Sequence, residues 1–141
     1  MSRLHLPATV DAPCAARHWA AEQLPDDIRE TALLLISELV TNAVLASRSA
    51  PAPPTVTLEV AVEPGRVALY VTDASSRPLP PAPETVPADA ESGRGLLLVA
   101  TLADEHGWAP SRCGKCVWAA LNRCPGATAI APVECVKAAA R

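Results

Sequence analysis

The sequence predicts an α+β fold, with helices on one face of a mixed, mostly antiparallel sheet. Two helical patterns precede a probable β-hairpin, and a third helical pattern is followed by two more short strands. This mixture of hairpins and helices is typical of a sheet covered on one side. Of the 141 residues, 50% are hydrophobic, which suits one domain with a substantial core.

The N-terminal part predicts an edge strand followed by a helix. Residues 2–9 alternate apolar and polar side chains, as a half-exposed strand does. Asp11 and Pro13 are typical of the start of a helix, and the spacing of the apolar residues that follow extends this helix to about Leu24.

A second helix and a hairpin follow. The helix begins after Pro25 and reaches about Ser47, and its wide apolar surface predicts that it is largely buried. Beyond a proline-containing loop, the sequences TVTLEVAV and RVALYVTD alternate as strands do. The turn Glu63-Pro64-Gly65 joins them, so we expect a β-hairpin.

The remainder contains a loop, a helix and two strands. Residues 74–92 hold five prolines, which prevent regular structure and are typical of a lid or binding loop. The third helix follows, and Gly107 is expected to end it. Strands are expected at about 106–109 and 115–121, whereas residues 122–141 show no clear pattern.

Composition limits the partners that we expect. The formal net charge is -3, with no long run of like charges, so nucleic acid is not an expected partner. The N-terminus lacks the apolar core of a signal peptide and no apolar stretch is long enough to span a membrane. We therefore expect a cytoplasmic protein without membrane contact. The five cysteines are an odd number, which argues against a disulfide framework.

An acid–amide pair stands out in the second helix. In SELVTNAV, Glu38 and Asn42 lie one helical turn apart on the same side. Burial of a carboxylate without a partner is costly. The pair therefore faces a pocket or a cation, or else it is an ordinary exposed stripe. Carboxylate and amide oxygens are suitable ligands for Mg²⁺ and its waters.

Two further polar groups lie in apolar settings. Asp73 ends a strand in phase with Val67, so its carboxylate should point toward the core and need a hydrogen-bond donor. That donor is either a ligand such as a purine amino group or a backbone N–H of the next turn. In SGRGLLLV, Gly93 and Gly95 flank Arg94 at the start of a helix. Such a start binds phosphate or is an ordinary turn.

Taken in order, these motifs resemble those of the GHKL ATPases, the superfamily of DNA gyrase B, histidine kinases and heat-shock chaperones. ELVTNAV resembles the N box, VTDASSRP the first glycine box, GRGLLLVATLADEHGW the second, and GKCVWAAL the strand that closes the domain. The resemblance covers about residues 11–121. It is strongest to small bacterial ATP-binding regulators akin to anti-sigma factor serine/threonine kinases. It implies a Bergerat-type two-layer α/β sandwich over residues 1–121, with a lid at about 74–92 and an unassigned tail at 122–141.

The same resemblance implies a site for ATP and Mg²⁺. Glu38 would be the general base, and Asn42 would hold Mg²⁺ against the phosphates. Asp73 would accept a hydrogen bond from the adenine amino group. The other implied nucleotide-binding residues are Gly93, Arg94, Gly95, Leu96 and Cys116, the last in the place of a threonine.

The implied function is transfer of the ATP γ-phosphate to a regulatory protein partner in transcription regulation. The partner would be a sigma factor or an anti-sigma antagonist, and a homodimer is compatible with this role. The alternative is a non-catalytic anti-sigma-like module with a degenerate site, because Ser75 and Arg77 replace both glycines of the first glycine box. A third alternative is a zinc site, although the spacing of its cysteines fits no common zinc module; its ligands would be Cys113, Cys116, Cys124 and Cys135.

Overall fold

The computed structural model describes residues 1–50, 54–75, 94–112 and 114–123. Within these ranges the chain forms a two-layer α+β sandwich, in which a five-stranded sheet carries α-helices on one face. The elements are β1 (Ser2–Pro7), α1 (Ala12–Ala21), α2 (Arg29–Ala46), a short 3₁₀ helix (Ser47–Ser49), β2 (Thr55–Glu63), β3 (Arg66–Asp73), α3 (Arg94–Leu102), β4 (Glu105–Ser111) and β5 (Gly114–Asn122). The predicted fold class is confirmed.

The sheet is antiparallel throughout, with strand order β1-β2-β3-β5-β4. The strand β5 therefore lies between β3 and β4. Its register places Lys115 directly opposite Asp73 and Cys116 opposite Thr72. Because neighbouring residues of a strand point to opposite faces, Lys115 and Asp73 share one face while Cys116 and Thr72 share the other.

The main core lies between the sheet and the helices. The sheet supplies alternating residues of β2, β3 and β5, including Val67, Leu69 and Val71 of the central strand. The helix α1 contributes three alanines spaced by four residues, which lets it approach closely. The helix α2 is buried along most of its length, as predicted, through Ala32, Leu35, Ile36, Leu39, Val40, Ala43 and Val44.

The corner between α1 and α2 is fixed by one arginine. The Arg29 side chain donates to the carbonyl oxygens of Ala21 at 2.9 Å and Leu24 at 2.8 Å. These carbonyls lie at the end of α1 and just after it, where intrahelical partners are lacking. Arg29 therefore begins α2 and satisfies the end of α1 at the same time. None of the helices in the described ranges combines the length and apolarity that a bilayer crossing requires.

One local prediction is wrong. Gly107 does not end α3, which stops at Leu102; it lies within β4 opposite Trp118. A Cβ on Gly107 would approach the indole ring to within 2.8 Å, so sheet packing explains this glycine better than a helix end does. Asp11 precedes α1 as expected, but its side chain makes no capping hydrogen bond. The predicted lid and tail lie largely outside the described residues.

The start of β5 leaves no room for a side chain at Gly114. An added Cβ would overlap the backbone carbonyl oxygen of Asp73 and the backbone of Ala74. We predict that Gly114→Ala lowers the free energy of unfolding by at least ~2 kcal/mol, because backbone atoms would have to move apart. Urea unfolding followed by circular dichroism measures this change. Arg112→Ala, at an exposed position in the same turn, should stay within about 0.5 kcal/mol of the wild type. Equal stability of both variants would contradict the prediction.

Candidate functional site

Asp73 is the last residue of β3, and its carboxylate is buried on the helix-facing side, with the residue 2% exposed. Its Oδ1 accepts hydrogen bonds from the backbone N–H of Ser75 at 2.7 Å and from Lys115 Nζ at 3.3 Å. Nζ also lies 3.2 Å from Oδ2. The predicted orientation of Asp73 is therefore correct, and the backbone N–H of the following turn is one of its donors.

The Asp73–Lys115 pair leaves hydrogen-bonding capacity unused. Lys115 Nζ is within ion-pair distance of Oδ2, but Oδ2 accepts no hydrogen bond among the described residues. An ammonium group has three N–H donors. Within the described part of the chain, Lys115 uses one of them, toward Oδ1. Buried polar atoms are nearly always satisfied, so this end of the sheet suits a polar ligand.

Burial raises the pKa of the Asp73 carboxyl, because the charged form loses its hydration. The hydrogen bond from the Ser75 N–H and the charge of Lys115 oppose this shift without cancelling it. Perturbed carboxylates of this kind cluster at functional sites. The burial and the raised pKa of Asp73 therefore make it a candidate ligand-binding residue.

The acid–amide pair of α2 faces the first turn of α3. Glu38 and Asn42 are half-buried. A Cβ added to Gly95 would overlap Glu38 Oε2 and would lie 3.7 Å from Asn42 Nδ2. Glycine at this position therefore lets the beginning of α3 approach the pair without displacing the carboxylate. The side of α2 that carries Glu38 and Asn42 therefore lies against α3 and does not face open solvent.

The first turn of α3 brings backbone N–H groups to this region. The initial N–H groups of a helix have no intrahelical partners and favour an anion. Gly95 lies in this turn against the acid–amide pair, and the half-buried Leu96 follows it. Arg94 begins the helix, but its side chain lies outside the description. Gly93 and Arg77 are outside the described residues.

The structure does not bring Cys116 to this site. Its side chain packs with Ala68, Tyr70 and Ala120 on the sheet face that is turned away from the helices. Lys115, one position earlier, lies beside Asp73 instead. Cys116 is disulfide-bonded, which the odd number of cysteines did not lead us to expect.

The zinc alternative gains no support from the described ranges. They contain no group of three or more histidine, cysteine, aspartate or glutamate side chains that could hold a metal ion. The other three cysteines of that alternative lie outside these ranges.

The sandwich, the acid–amide pair against a glycine helix start and the buried aspartate at a strand end define the class of GHKL-type ATPase domains. The chain belongs to the histidine kinase-like ATPase domain family, whose model matches residues 6–121. The predicted family is confirmed, and it implies ATP as the nucleotide.

Several solved structures resemble the chain, including the following two. The RsbU and RsbW domains of a Mycobacterium tuberculosis protein match with a TM-score of 0.56 and 21% identity, over 88% of this chain and 34% of that one. The histidine kinase domain of a blue-light activated histidine kinase from Erythrobacter litoralis EL346 matches with a TM-score of 0.47 and 23% identity, over 70% of this chain and 46% of that one. The chain thus spans less than half of either structure, and the first likeness supports the fold. The comparison with curated proteins found no match.

The buried ion pair predicts a pH-dependent effect of Lys115→Met. Loss of the ammonium leaves the Asp73 carboxylate buried without its counter-charge, which should cost about 3 kcal/mol at pH 7. Since the pKa of Asp73 is raised in the folded state, the folded protein holds the proton more tightly than the unfolded chain. The contribution of Asp73 to stability is therefore greatest below the unfolded pKa and falls as pH rises through the folded pKa.

Denaturant unfolding of wild type and Lys115→Met from about pH 4 to about pH 8 tests this expectation. This interval covers the usual pKa of a carboxyl group and neutral pH. The difference in unfolding free energy should grow as pH rises, because the variant raises the folded pKa of Asp73 further. In the double variant Asp73→Asn/Lys115→Met this dependence should disappear. A difference that is constant with pH would show that the ammonium does not compensate Asp73.

Proposed function

We propose that the protein binds ATP with Mg²⁺ and transfers the γ-phosphate to a serine or threonine of a regulatory protein partner, in the manner of an anti-sigma factor kinase. The observation that carries the proposal is the approach of the α3 helix start to Glu38 and Asn42, which Gly95 makes possible. The motif resemblance supplies the class of partner. The proposal takes residues 1–121 as the ATP-binding domain and the cytoplasm as its location.

The residues present fit ATP and Mg²⁺. At one end, Asp73 Oδ2, which accepts no hydrogen bond among the described residues, is an acceptor for the adenine amino group. At the other end, the N–H groups of the first turn of α3, which have no partners within the helix, suit phosphate oxygens. The amide of Asn42 would hold Mg²⁺ with the help of water, since Mg²⁺ prefers oxygen ligands. When bound, Mg²⁺ neutralises phosphate charge as it develops in the transition state.

Glu38 is the candidate general base. Its carboxylate would take the proton from the acceptor hydroxyl as the oxygen of that hydroxyl bonds to the γ-phosphorus. The bond between that phosphorus and the bridging oxygen breaks, and ADP is the leaving group. The half-buried position of Glu38 leaves it open to an incoming side chain of a partner.

A second candidate function is a non-catalytic binding module. Ser75, in the place of a glycine of the first glycine box, is 5% exposed and its N–H is bonded to Asp73. A side chain at that place narrows the surroundings of Asp73, which favours weak nucleotide binding. In this alternative the partner is sequestered without phosphorylation.

Glu38→Gln should separate the two candidates. The amide keeps the shape of the side chain but cannot accept the proton, so phosphoryl transfer to a serine-bearing partner should fall by about 10² or more. Affinity for the partner should change little, and affinity for ATP should not fall, because the amide removes a negative charge near the phosphates. Transfer of radiolabel from [γ-³²P]ATP and calorimetry measure these quantities.

The matched control for this experiment is Glu30→Gln, an exposed position in the first turn of the same helix, which should transfer at the wild-type rate. Equal transfer by Glu38→Gln and wild type would exclude Glu38 as the base. Partner binding by a wild-type protein that transfers no phosphate would favour the non-catalytic module.

Asp73→Asn should weaken ATP binding. A hydrogen bond to a charged acceptor contributes about 1.5–3 kcal/mol, so the affinity should fall roughly tenfold or more. Calorimetric titration with ATP and Mg²⁺ measures the change. Asp11→Asn, at an exposed position before α1, serves as the control with unchanged affinity. Equal binding by Asp73→Asn and wild type would remove Asp73 from the base site.

A further inference from the structure

We propose that Lys115 reads the base together with Asp73: its ammonium donates to the ring nitrogen N1 of adenine, next to the amino group that Asp73 accepts. This inference rests on the proposed binding of ATP and extends it by naming a residue that determines specificity. It also replaces Cys116 as the residue of β5 that faces the nucleotide.

The register of the sheet positions Lys115 for this role. Lys115 and Asp73 are opposite one another in the antiparallel pair of β5 and β3, on the helix-facing side. Nζ lies 3.2 Å from Oδ2 and 3.3 Å from Oδ1, and the two side chains are 4% and 1% exposed. A donor and an acceptor are thus held side by side in a water-poor environment.

Both groups retain capacity that the protein does not use. Oδ2 accepts no hydrogen bond, and Lys115 donates only to Oδ1 among the described residues. A pair with a purely structural role would be expected to satisfy its buried atoms internally. The unused groups are the acceptor Oδ2 of Asp73 and, beside it, the remaining N–H donors of Lys115. The adenine edge presents the complement, an amino donor beside the acceptor N1.

The charge of Lys115 makes its role in recognition energetically significant. Hydrogen bonds with an ionised partner are stronger than neutral ones, and more so where water is excluded. An ammonium contact to N1 should therefore contribute about tenfold or more in affinity. The same ammonium keeps the carboxylate of Asp73 compensated while the base is absent.

Calorimetric titration of the full chain with three nucleotides tests the inference. ATP is compared with 1-deaza-ATP, which has C–H in place of N1, and with purine riboside triphosphate, which lacks the amino group. Wild type should bind 1-deaza-ATP about tenfold or more weakly than ATP. Lys115→Met should bind these two nucleotides equally, near the weaker level, yet still prefer ATP to purine riboside triphosphate through Asp73.

The outcomes distinguish this inference from the function on which it rests. Wild type that binds none of the three nucleotides refutes the ATP site, and the role of Lys115 with it. Wild type that binds ATP and 1-deaza-ATP equally refutes the role of Lys115 alone, without any variant that must fold. If Lys115→Met is folded by near-ultraviolet circular dichroism and keeps the wild-type ratio, Lys115 has only a structural role.

Discussion

The ion pair between Asp73 and Lys115 ties the sheet to the candidate site. It forms only because β5 lies between β3 and β4, which brings the start of the closing strand beside the end of the central one. Gly114 permits this approach, since no Cβ fits against the backbone that follows Asp73. A buried ion pair is weak evidence of stability, because desolvation offsets most of the attraction. Two apolar residues at these positions would stabilise the pairing of β3 and β5 at least as well. The presence of both charges therefore points to a ligand.

The helix layer provides the other half of the site. The apolar residues of α2 hold the helix on the sheet, and its polar stripe is left facing the first turn of α3. The same helix thus anchors the core and presents Glu38 and Asn42. Gly95 sets how closely the two helices approach, because a side chain there would displace the Glu38 carboxylate. Fold and site are therefore coupled through small residues at two contacts, Gly95 and Gly114.

Periodicity was sufficient to predict the elements and the direction of Asp73, since the apolar phase of one strand decides which face it buries. It did not place Lys115, because the pairing of β3 with β5 is a long-range contact that local sequence does not specify. A signal was nevertheless present: Lys115 is in phase with Val117, as Asp73 is with Val71. The motif pointed to Cys116, one position away, and a shift of one residue reverses the face of a strand. Gly107 was misassigned for a similar reason, since its neighbour across the sheet, Trp118, is distant in sequence.

The two ends of the site differ in electrostatic character, and this difference suggests how they divide the work. Asp73 and Lys115 together are nearly neutral and buried, so they can select a base by hydrogen bonds without attracting phosphate. Glu38 is a half-buried carboxylate that takes part in no ion pair among the described residues, and it would repel a triphosphate. A cation and the positive end of α3 are needed to offset that repulsion. Under the proposed function, binding of the base would supply selectivity, whereas occupation of the phosphate end would depend on Mg²⁺. The proposed role of Glu38 in proton transfer accounts for a carboxylate at this position, which binding of a triphosphate alone would not.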